Sequence, residues 1–371
     1  MQMKKLGFGF MRLPLTDPDN KASVDIELTK KMVDEFLARG FTYFDTAWPY
    51  CGFNSENALR EALVERYPRE SYTVATKLHC AFIETKEDRD RVFNEQLRKT
   101  GAGYFDYYLI HSIYDDLYEK YTALDCFNWL REKKEQGLVK HIGCSFHDTA
   151  EFLDKVLTEH PELEFVQLQI NYLDWDSERV QSRECYEVAR RHGKPIIIME
   201  PVKGGALANV PEAVEKMFRE HSPDMSAPSW AIRYAAGLDG VFMVLSGMSD
   251  MDQLLDNTGY MQNFKPLDEK EHEIVKEAAK MIRRSIAIPC TACSYCTDGC
   301  PMNIPISDYF TLYNADKKHD SRPSRDKYNA LSEKFGLASS CIECGQCEGV
   351  CPQKLPIIAN LKKVSKHFER K

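Results

Sequence analysis

Two runs of cysteine near the end of the chain share one spacing. Residues 290–301 read CTACSYCTDGCP and residues 341–352 read CIECGQCEGVCP, so each run follows the pattern C-x2-C-x2-C-x3-C and then proline. This pattern is typical of four-iron four-sulfur (4Fe–4S) clusters, where three cysteines of a run bind one cluster and the fourth binds the other cluster. The first predicted ligand set is Cys290, Cys293, Cys296 and Cys351, and the second is Cys341, Cys344, Cys347 and Cys300.

Zinc is the alternative partner for these thiols, because zinc sites also use C-x2-C pairs. Zinc sites normally need neither a third cysteine two residues further on nor the trailing proline, so the spacing favours iron and sulfur. The other five of the 13 cysteines are scattered singly and lack metal-binding spacing. Since free cysteine behaves as a small apolar residue, four of them are expected to be buried: Cys80, Cys126, Cys144 and Cys185.

An acid, a base and an imidazole lie near the ends of three apolar runs earlier in the chain. Asp45 ends the run YFD within FDTAWPYCG, Lys77 follows TVAT, and His111 follows YYLI. Tyr50 comes one short loop after Asp45. If the runs are parallel strands of a barrel, their carboxyl ends bring all four side chains to one rim.

These four side chains suit proton transfer at a carbonyl oxygen. A carbonyl that accepts hydride becomes an alkoxide, so the site must supply a proton or a positive charge at that oxygen. Tyr50 is the candidate acid, but a free tyrosine keeps its proton up to a pH of about 10. A nearby Lys77 cation would favour loss of that proton, and Asp45 would keep the lysine charged. His111 could donate a hydrogen bond to the carbonyl.

Eight short apolar runs supply the strands that must position these residues. Segments with helical periodicity separate most of them, such as 28–40 and 89–101, the second of which ends at a glycine stop signal. Strands alternating with helices predict an α/β fold, a (β/α)8 TIM barrel. A doubly wound open sheet is the alternative, but it normally carries a G-x-G-x-x-G turn after an early strand, which the sequence lacks there. The predicted strands are 6–10, 43–45, 73–76, 107–110, 142–145, 165–170, 196–199 and 242–245.

Composition and charge restrict the class of protein. The 371 residues are 43% hydrophobic and 29% charged, which is typical of globular proteins with a substantial core. The formal net charge of −8 argues against nucleic acid or an anionic membrane as a partner. We find no signal peptide and no membrane span, so we expect a cytoplasmic protein with reduced thiols. The basic stretch 317–327 is expected to be a solvated loop.

Several short motifs resemble one enzyme family. FDTAWPYCG, TKL and LIHS resemble the Asp, Tyr, Lys and His tetrad of the aldo-keto reductases, and HIGCSFHD and FVQLQIN resemble later landmarks of that family. The resemblance covers about residues 5–260. It implies an oxidoreductase that transfers hydride between NADPH or NADH and a small-molecule carbonyl or alcohol substrate. The catalytic residues it implies are Tyr50, Asp45, Lys77 and His111.

The resemblance also implies contacts with the nicotinamide cofactor. In the family a serine after the fifth strand and a glutamine on the sixth hold the carboxamide, and these match Ser145 and Gln167. The segment SGMSDMDQLLDN (246–257) should lie over the cofactor's phosphates and adenine. Gly247 and Gln253 stand where NADPH-selective members tend to place Lys and Arg, so NADH is an open option. The expected contacts in this segment are Ser246, Gly247, Gln253, Asp256 and Asn257.

The cysteine runs resemble the two-cluster bacterial ferredoxin domains, and the whole chain resembles oxidoreductases in which an aldo-keto reductase barrel is fused to such a domain. We expect the barrel in residues 1–265. A connecting helix (267–285) and a small, mainly helical ferredoxin-like domain with two 4Fe–4S clusters are expected in residues 266–371. Between the runs, residues 305–318 and 324–336 have the apolar spacing of helices.

Three functions fit these observations. The first is hydride transfer in the barrel, with clusters that exchange electrons with a partner or a second cofactor. The second is an electron-transfer protein whose barrel only docks a cofactor or partner. The third is a reductase whose clusters are structural or sense redox conditions. Direct coupling of the two centres has an obstacle, because nicotinamide moves two electrons as hydride while a cluster passes one, and we find no flavin motif.

Overall fold

The computed structural model describes residues 3–319 and 322–369. The chain divides into two compact units. The first comprises Met1–Asp176, Gln181–Pro201 and Pro228–His272, and the second comprises Ser177–Val180, Val202–Ala227 and Glu273–Lys371. The second unit therefore includes a segment from the middle of the chain as well as the C-terminal region. The domain boundary expected at residue 265 stays a prediction.

The first unit contains a closed barrel of eight strands in sequential order. Every neighbouring pair is parallel, including the last strand with the first. The prediction of a TIM barrel is confirmed, and the open-sheet alternative is wrong. The strands are β1 Leu6–Gly9, β2 Tyr43–Asp45, β3 Thr73–Leu78, β4 Phe105–Ile113, β5 Val139–Phe146, β6 Phe165–Gln169, β7 Ile196–Met199 and β8 Val241–Gly247.

Helices connect these strands, and their ends follow local sequence signals. The helix over Lys86–Thr100 begins with a capping box of Thr85 and Asp88 and ends at Gly101, whose φ of 64° is left-handed. The helices up to the end of the barrel are α1 Ile26–Ala38, α2 Tyr50–Phe53, α3 Ser55–Leu59, α4 Lys86–Thr100, α5 Asp115–Ala123, α6 Cys126–Glu135, α7 Ala150–Glu159, α8 Ser182–Arg191, α9 Glu212–His221, α10 Ala227–Gly237 and α11 Met251–Gln262.

Apolar side chains fill the inside of the barrel, as packed TIM barrels require. Gly143 on β5 is needed for this packing, because a Cβ at that position would lie 2.6 Å from both the ring and the carbonyl oxygen of Phe165. The four singly placed cysteines expected to be buried are all buried. The apolar layer consists of Tyr43, Ala75, Leu109, Phe165, Ile197, Met243 and Leu245.

The C-terminal region is helical, as predicted. Its core includes the stacked rings of Tyr328 and Phe368, whose centres are 4.6 Å apart. The loop expected over 317–327 was wrong for residues 317–319 and 322–327, which are helical, while residues 320–321 lie outside the described part of the chain. The helices are α12 Glu269–Ser285, α13 Tyr295–Asp298, α14 Ile306–His319, α15 Arg322–Ser332, α16 Gln346–Gly349 and α17 Ile357–Phe368.

Candidate functional site

The pleat of the strands explains why the predicted site residues share one layer. Side chains alternate between the two faces of a strand, so the residue two places after a core residue points the same way. Moving two residues along from the apolar layer reaches the carboxyl ends of the strands, where TIM barrels carry their sites. The side chains reached in this way on β2 to β7 are Asp45, Lys77, His111, Ser145, Gln167 and Met199.

Asp45 and Lys77 form a buried ion pair in this layer. Lys77 Nζ donates to Asp45 Oδ1 over 2.6 Å and to the carbonyl oxygen of Thr46 over 2.7 Å. The Lys77 side chain is fully buried and that of Asp45 is 4% exposed. Burial lowers the pKa of Lys77 and raises the pKa of Asp45, and each partner opposes the shift of the other. The Asp45 carboxylate therefore stabilises the charged form of Lys77 in the barrel mouth.

Tyr50 begins α2, in the loop that follows β2. Lys77 Nζ lies 5.2 Å from the centre of the Tyr50 ring, and the ring centres of Tyr50 and His111 are 6.1 Å apart. The next residues, Cys51 and Gly52, both have left-handed backbone conformations, with φ of 50° and 56°. This tight turn sets the position of Tyr50, and the four residues of the predicted tetrad lie together.

His111 belongs to a group of three imidazoles. The ring centre of His111 is 5.2 Å from that of His79, and His147 is also near enough to affect the pKa of His111 electrostatically. Burial lowers the pKa of His111 well below its ordinary value of 6.5, and the neighbouring His79, Lys77 and His147 lower it further. The pKa of His79 falls to about 4, first through burial. His111 is therefore a neutral hydrogen-bonding group near pH 7.

Sequence reasoning missed His79 and His147. Each comes directly after a strand, at the end of β3 and of β5 respectively. The strand-end rule that identified His111 contained the signal for both, because all three follow apolar runs.

Glu56 is a second buried acid that sequence reasoning missed. It is 1% exposed on α3, and its Oε1 accepts hydrogen bonds from Thr76 Oγ1 over 2.9 Å and from Gln96 Nε2 over 2.8 Å. The same Gln96 nitrogen donates to the carbonyl oxygen of Lys77 over 3.0 Å. Burial raises the pKa of Glu56, and these hydrogen bonds and the charges of Lys99 and Lys77 oppose that rise. This hydrogen-bond network connects α3 and α4 to β3 next to Lys77.

Ser145 and Gln167 lie side by side, since they are paired in the register of β5 and β6. Ser145 Oγ accepts the backbone N–H of Ser112 over 2.7 Å. Gln167 is 3% exposed, and its Nε2 contacts only a weak acceptor, Met199 Sδ, at 3.4 Å. Its Oε1 has no partner in the described structure. A buried amide with spare hydrogen-bonding capacity fits the carboxamide of a nicotinamide ring.

The segment after β8 is held against the barrel by buried polar contacts. Asn257 Nδ2 on α11 donates to Ser246 Oγ over 3.0 Å, and both side chains are buried. Asn257 Oδ1 accepts the hydroxyl of Tyr260 over 2.6 Å. Asp256 is half-buried beside them. Gly247 ends β8, and the stem of Arg12 lies over it, since an added Cβ would be 3.2 Å from Arg12 Cβ.

The start of α11 carries its own carboxylate. Asp250 caps the helix by accepting the backbone N–H of Gln253 over 2.8 Å. The Gln253 side chain folds back, with Nε2 donating to Asp250 Oδ2 over 2.6 Å. Asp252 adds a further acid in the first turn. The structure therefore places Gln253 at an acidic helix start.

Cysteines of the two runs lie near one another in the second unit, while the crossed ligand sets stay a prediction. Cys290 and Cys296 each interact electrostatically with both Cys293 and Cys351, although Cys351 comes from the other run. Cys347 interacts in the same way with Cys341 and with Cys300 of the first run. One cavity is lined by all four members of the second set, which are Cys300, Cys341, Cys344 and Cys347.

Burial differs among these thiols: Cys296, Cys347 and Cys351 are buried, Cys344 is exposed, and the other four are half-buried. Within the described residues, no three or more His, Cys, Asp or Glu side chains converge closely enough for a single metal ion. The case for iron–sulfur ligation therefore rests on the crossed grouping, the cavity and the spacing. In each respect the residues fit a pair of clusters held by both runs.

Comparison with protein families agrees with this arrangement. A closed parallel barrel with an ion pair, a tyrosine and a neutral imidazole at its mouth is compatible with a barrel oxidoreductase. Residues 5–280 match the aldo/keto reductase family, and residues 289–355 match the 4Fe-4S dicluster domain. The chain belongs to the aldo/keto reductase family and is an NAD(P)H-dependent oxidoreductase with an iron–sulfur domain attached.

Individual relatives are distant. An uncharacterized oxidoreductase of Bacillus subtilis, YqkF, is 22% identical over 76% of this chain and 94% of its own length. The holo form of an aldo-keto reductase from Bacillus halodurans is 23% identical, with a TM-score of 0.61 over 76% of this chain and 96% of that one. An aldo-keto reductase from Klebsiella pneumoniae in complex with NADPH is 14% identical, with a TM-score of 0.58 over 74% and 90%. At these identities the structural likeness shows the fold alone.

In the part of the chain that the structure describes, no helix has both the length and the apolar character needed to cross a membrane.

Proposed function

We propose that the barrel reduces a small carbonyl compound, or oxidises the corresponding alcohol, with Tyr50 as the proton donor. The observation that carries this proposal is the grouping of half-buried Tyr50 with the buried Lys77, Asp45 and His111 at the carboxyl ends of the strands. A bound nicotinamide supplies or accepts the hydride. The residues of this chain then have to handle the charge that develops on the substrate oxygen.

Each residue of the tetrad has a distinct task in that step. Tyr50 gives its proton to the oxygen as negative charge develops there. The Lys77 ammonium, 5.2 Å from the Tyr50 ring, stabilises the tyrosinate left behind. Asp45 holds that ammonium in place through the 2.6 Å hydrogen bond. Neutral His111 donates a hydrogen bond to the same oxygen and fixes its approach.

The Tyr50→Phe variant tests this assignment. It should abolish reduction of a simple aldehyde while NADH and NADPH still bind, as measured by quenching of protein fluorescence. Tyr186→Phe is the matched control, because the Tyr186 hydroxyl donates to the carbonyl oxygen of Asp239, ahead of β8. Wild-type turnover in Tyr50→Phe would remove this tyrosine as the acid.

The acidic start of α11 supports a preference for NADH. The 2′-phosphate of NADPH carries negative charge, and Asp250 already occupies the helix start that would otherwise attract an anion. Gln253 supplies no charge, and it is hydrogen-bonded to that same acid. We expect a lower KM for NADH than for NADPH. The reverse order would overturn this preference, and Arg12→Gln would then test whether Arg12 beside Gly247 supplies the missing cation.

The proposal assigns two 4Fe–4S clusters to the two crossed cysteine sets. When bound, each cluster accepts or releases one electron. The cavity lined by Cys300, Cys341, Cys344 and Cys347 and the electrostatic grouping of the other four support these ligand sets. The measurement is iron and acid-labile sulfide after anaerobic purification. About eight irons for each chain supports two clusters, while about four or none contradicts them.

A surface beside the second ligand set supports electron exchange with a partner protein. Met302 and Ile342 line the same cavity as the cysteines and are 37% and 60% exposed. The backbone N–H of Gly336 donates to the carbonyl oxygen of Asn303, which brings Phe335 and Leu337 next to Met302. Exposed apolar patches of this kind usually mark contact sites. We call Met302, Phe335, Leu337 and Ile342 the apolar rim.

The partner proposed for the apolar rim is a small protein that carries single electrons, such as a flavodoxin. Ile342→Ser should slow reoxidation of the reduced clusters by flavodoxin and leave reoxidation by ferricyanide unchanged. Phe53→Ser is the control, because Phe53 is 46% exposed in the first unit. Equal slowing with both oxidants, or slowing in neither, would contradict a docking role.

Whether the two centres exchange electrons directly is a separate question. Because hydride carries two electrons and a cluster takes one, we propose that the clusters exchange electrons with the partner and not with nicotinamide. Anaerobic addition of NADH, with and without substrate, should leave the visible absorbance of the clusters unchanged. Bleaching by NADH would contradict this and establish direct coupling.

A further inference from the structure

A turn from the middle of the chain packs against the first cysteine run. The chain leaves β7 at Met199, and from Val202 to Ala227 it belongs to the second unit. Gly204 has a left-handed φ of +61°, and a Cβ there would lie 2.1 Å from the carbonyl oxygen of Thr291. Only glycine permits that approach. The turn is thus fixed directly beside the residue that follows Cys290.

The turn carries Lys203 into this position. The Lys203 side chain is 2% exposed, and its Nζ donates to Gln353 Oε1 over 2.7 Å. Gln353 is 4% exposed and lies two residues after Cys351. Its Nε2 has no partner in the described structure. The hydrogen bond to Gln353 therefore places Lys203 close to the loop that contains Cys351, one of the predicted cluster ligands.

Lys203 also acts on a second predicted ligand of the same cluster. Burial raises the pKa of the Cys290 thiol to about 11, and the Lys203 ammonium acts in the opposite direction. Cys290 and Cys351 are the outermost members of the first ligand set in the sequence. The ammonium thus acts on Cys290 of the first run and is hydrogen-bonded to Gln353, two residues after Cys351 of the second run.

The two ligand sets differ in their nearby charges. Among the described lysine and arginine side chains of the second unit, Lys203 is the one that is buried. Beside the second set, Glu343 pairs with Lys362 over 2.7 Å, and the two side chains are 54% and 63% exposed. Water and salt screen an exposed pair far more than a buried charge. The first set alone has a buried cation among the described residues.

We propose that Lys203 raises the reduction potential of the first 4Fe–4S cluster relative to the second, so that an entering electron comes to rest on the first cluster. The inference rests on the ligand sets proposed above. Reduction adds one electron, taken from a one-electron donor, and no proton, so the cluster with its four thiolates becomes more negative by one charge. A fixed ammonium stabilises that state more than the oxidised one. Lys203 would thus act on the cluster through its charge and would not be one of its ligands.

The experiment is an anaerobic dithionite titration of the full-length protein with both clusters loaded, followed by visible absorbance and electron paramagnetic resonance. Lys203→Gln keeps a polar partner for Gln353 but removes the charge. At a given potential, this variant should lower the ratio of reduced to oxidised cluster about tenfold for one of the two clusters. That change corresponds to a shift of about 59 mV in the reduction potential of a one-electron couple. Lys203→Arg keeps the charge and should stay close to the wild type. Lys362→Gln is the control for the same charge change at an exposed site.

Several results would overturn the proposal. An unchanged titration of Lys203→Gln would remove the electrostatic role, and so would an equal shift of both clusters. Equal shifts in the Gln and Arg variants would indicate packing instead of charge. Loss of iron from Lys203→Gln and also from Lys203→Met would assign a structural role. Failure of the ligand sets themselves is distinguishable, because it would appear as fewer than two clusters in the unmodified protein.

Discussion

The ion pair of Asp45 and Lys77 allows a quantitative test of how the site is built. The two charged atoms are 2.6 Å apart, and their side chains are 4% and 0% exposed. Asp45→Asn leaves the ammonium with the Thr46 carbonyl oxygen as its remaining described acceptor. Breaking such a buried pair from one side costs about 3 to 5 kcal/mol, because an uncompensated charge is left in the interior.

The opposite change is expected to cost less. In Lys77→Met the Asp45 carboxyl can take up a proton, because burial already raises its pKa. We expect a loss of about 2 to 3 kcal/mol at neutral pH. In the double variant neither charge remains, so the total loss should fall short of the sum by about 2 to 3 kcal/mol.

Urea unfolding followed by tryptophan fluorescence measures these free energies. Trp48, Trp129, Trp175 and Trp230 all belong to the first unit, so the signal reports the barrel. The matched control is the exposed pair of Glu27 and Lys30, at 2.7 Å, for which the coupling should be at most about 0.5 kcal/mol. Additive losses at Asp45 and Lys77, or a loss below about 1 kcal/mol for Asp45→Asn, would refute the view that the pair is a buried, mutually dependent unit.

Three further predictions follow from contacts described above. The pKa of His79 is about 4 in the folded protein and about 6.5 in an unfolded chain, so the unfolded state binds more protons below pH 6.5. The free energy of unfolding should therefore fall between about pH 6.5 and 4, and His79→Gln should flatten that fall in urea titrations; an unchanged slope would contradict it. Cys344→Ser should lose about half of the iron in colorimetric assay, whereas Cys185→Ser should keep it all. Gly204→Ala should lower the thermal midpoint of the second unit by several degrees in circular dichroism, because it adds both a clash and a left-handed alanine.

The strands and the tetrad could be predicted from sequence because both depend on local patterns. Apolar runs of strand length locate β1 to β8, and the period of two along each strand fixes which side chain follows the core layer. Asp45, Lys77 and His111 all lie at such positions. The crossed ligand sets proposed for the cysteine runs come from a similar local pattern, since the spacing within each run indicates which cysteine would reach the other cluster.

The remaining features depend on contacts between distant parts of the chain. Glu56 lies in an ordinary helical segment, and its burial comes from Thr76 and Gln96, which belong to other elements. The loop predicted over 317–327 was wrong for the described residues of that stretch because charge was taken as a sign of a loop, whereas solvent-exposed helices also carry charge. No local pattern indicated that residues 202–227 join the second unit, because their partners lie far along the chain.

That long-range connection has a consequence for synthesis on the ribosome. Lys203 and Gln353 are separated by 150 residues. At typical translation rates the later residue emerges roughly 8 to 30 seconds after the earlier one. During that interval the hydrogen bond from Lys203 to Gln353 cannot form, while the strands from β1 to β7 are already available to pair. Maturation of the iron–sulfur unit must therefore wait for the second cysteine run, whereas a nascent chain halted just before residue 290 would already contain all eight strands of the barrel.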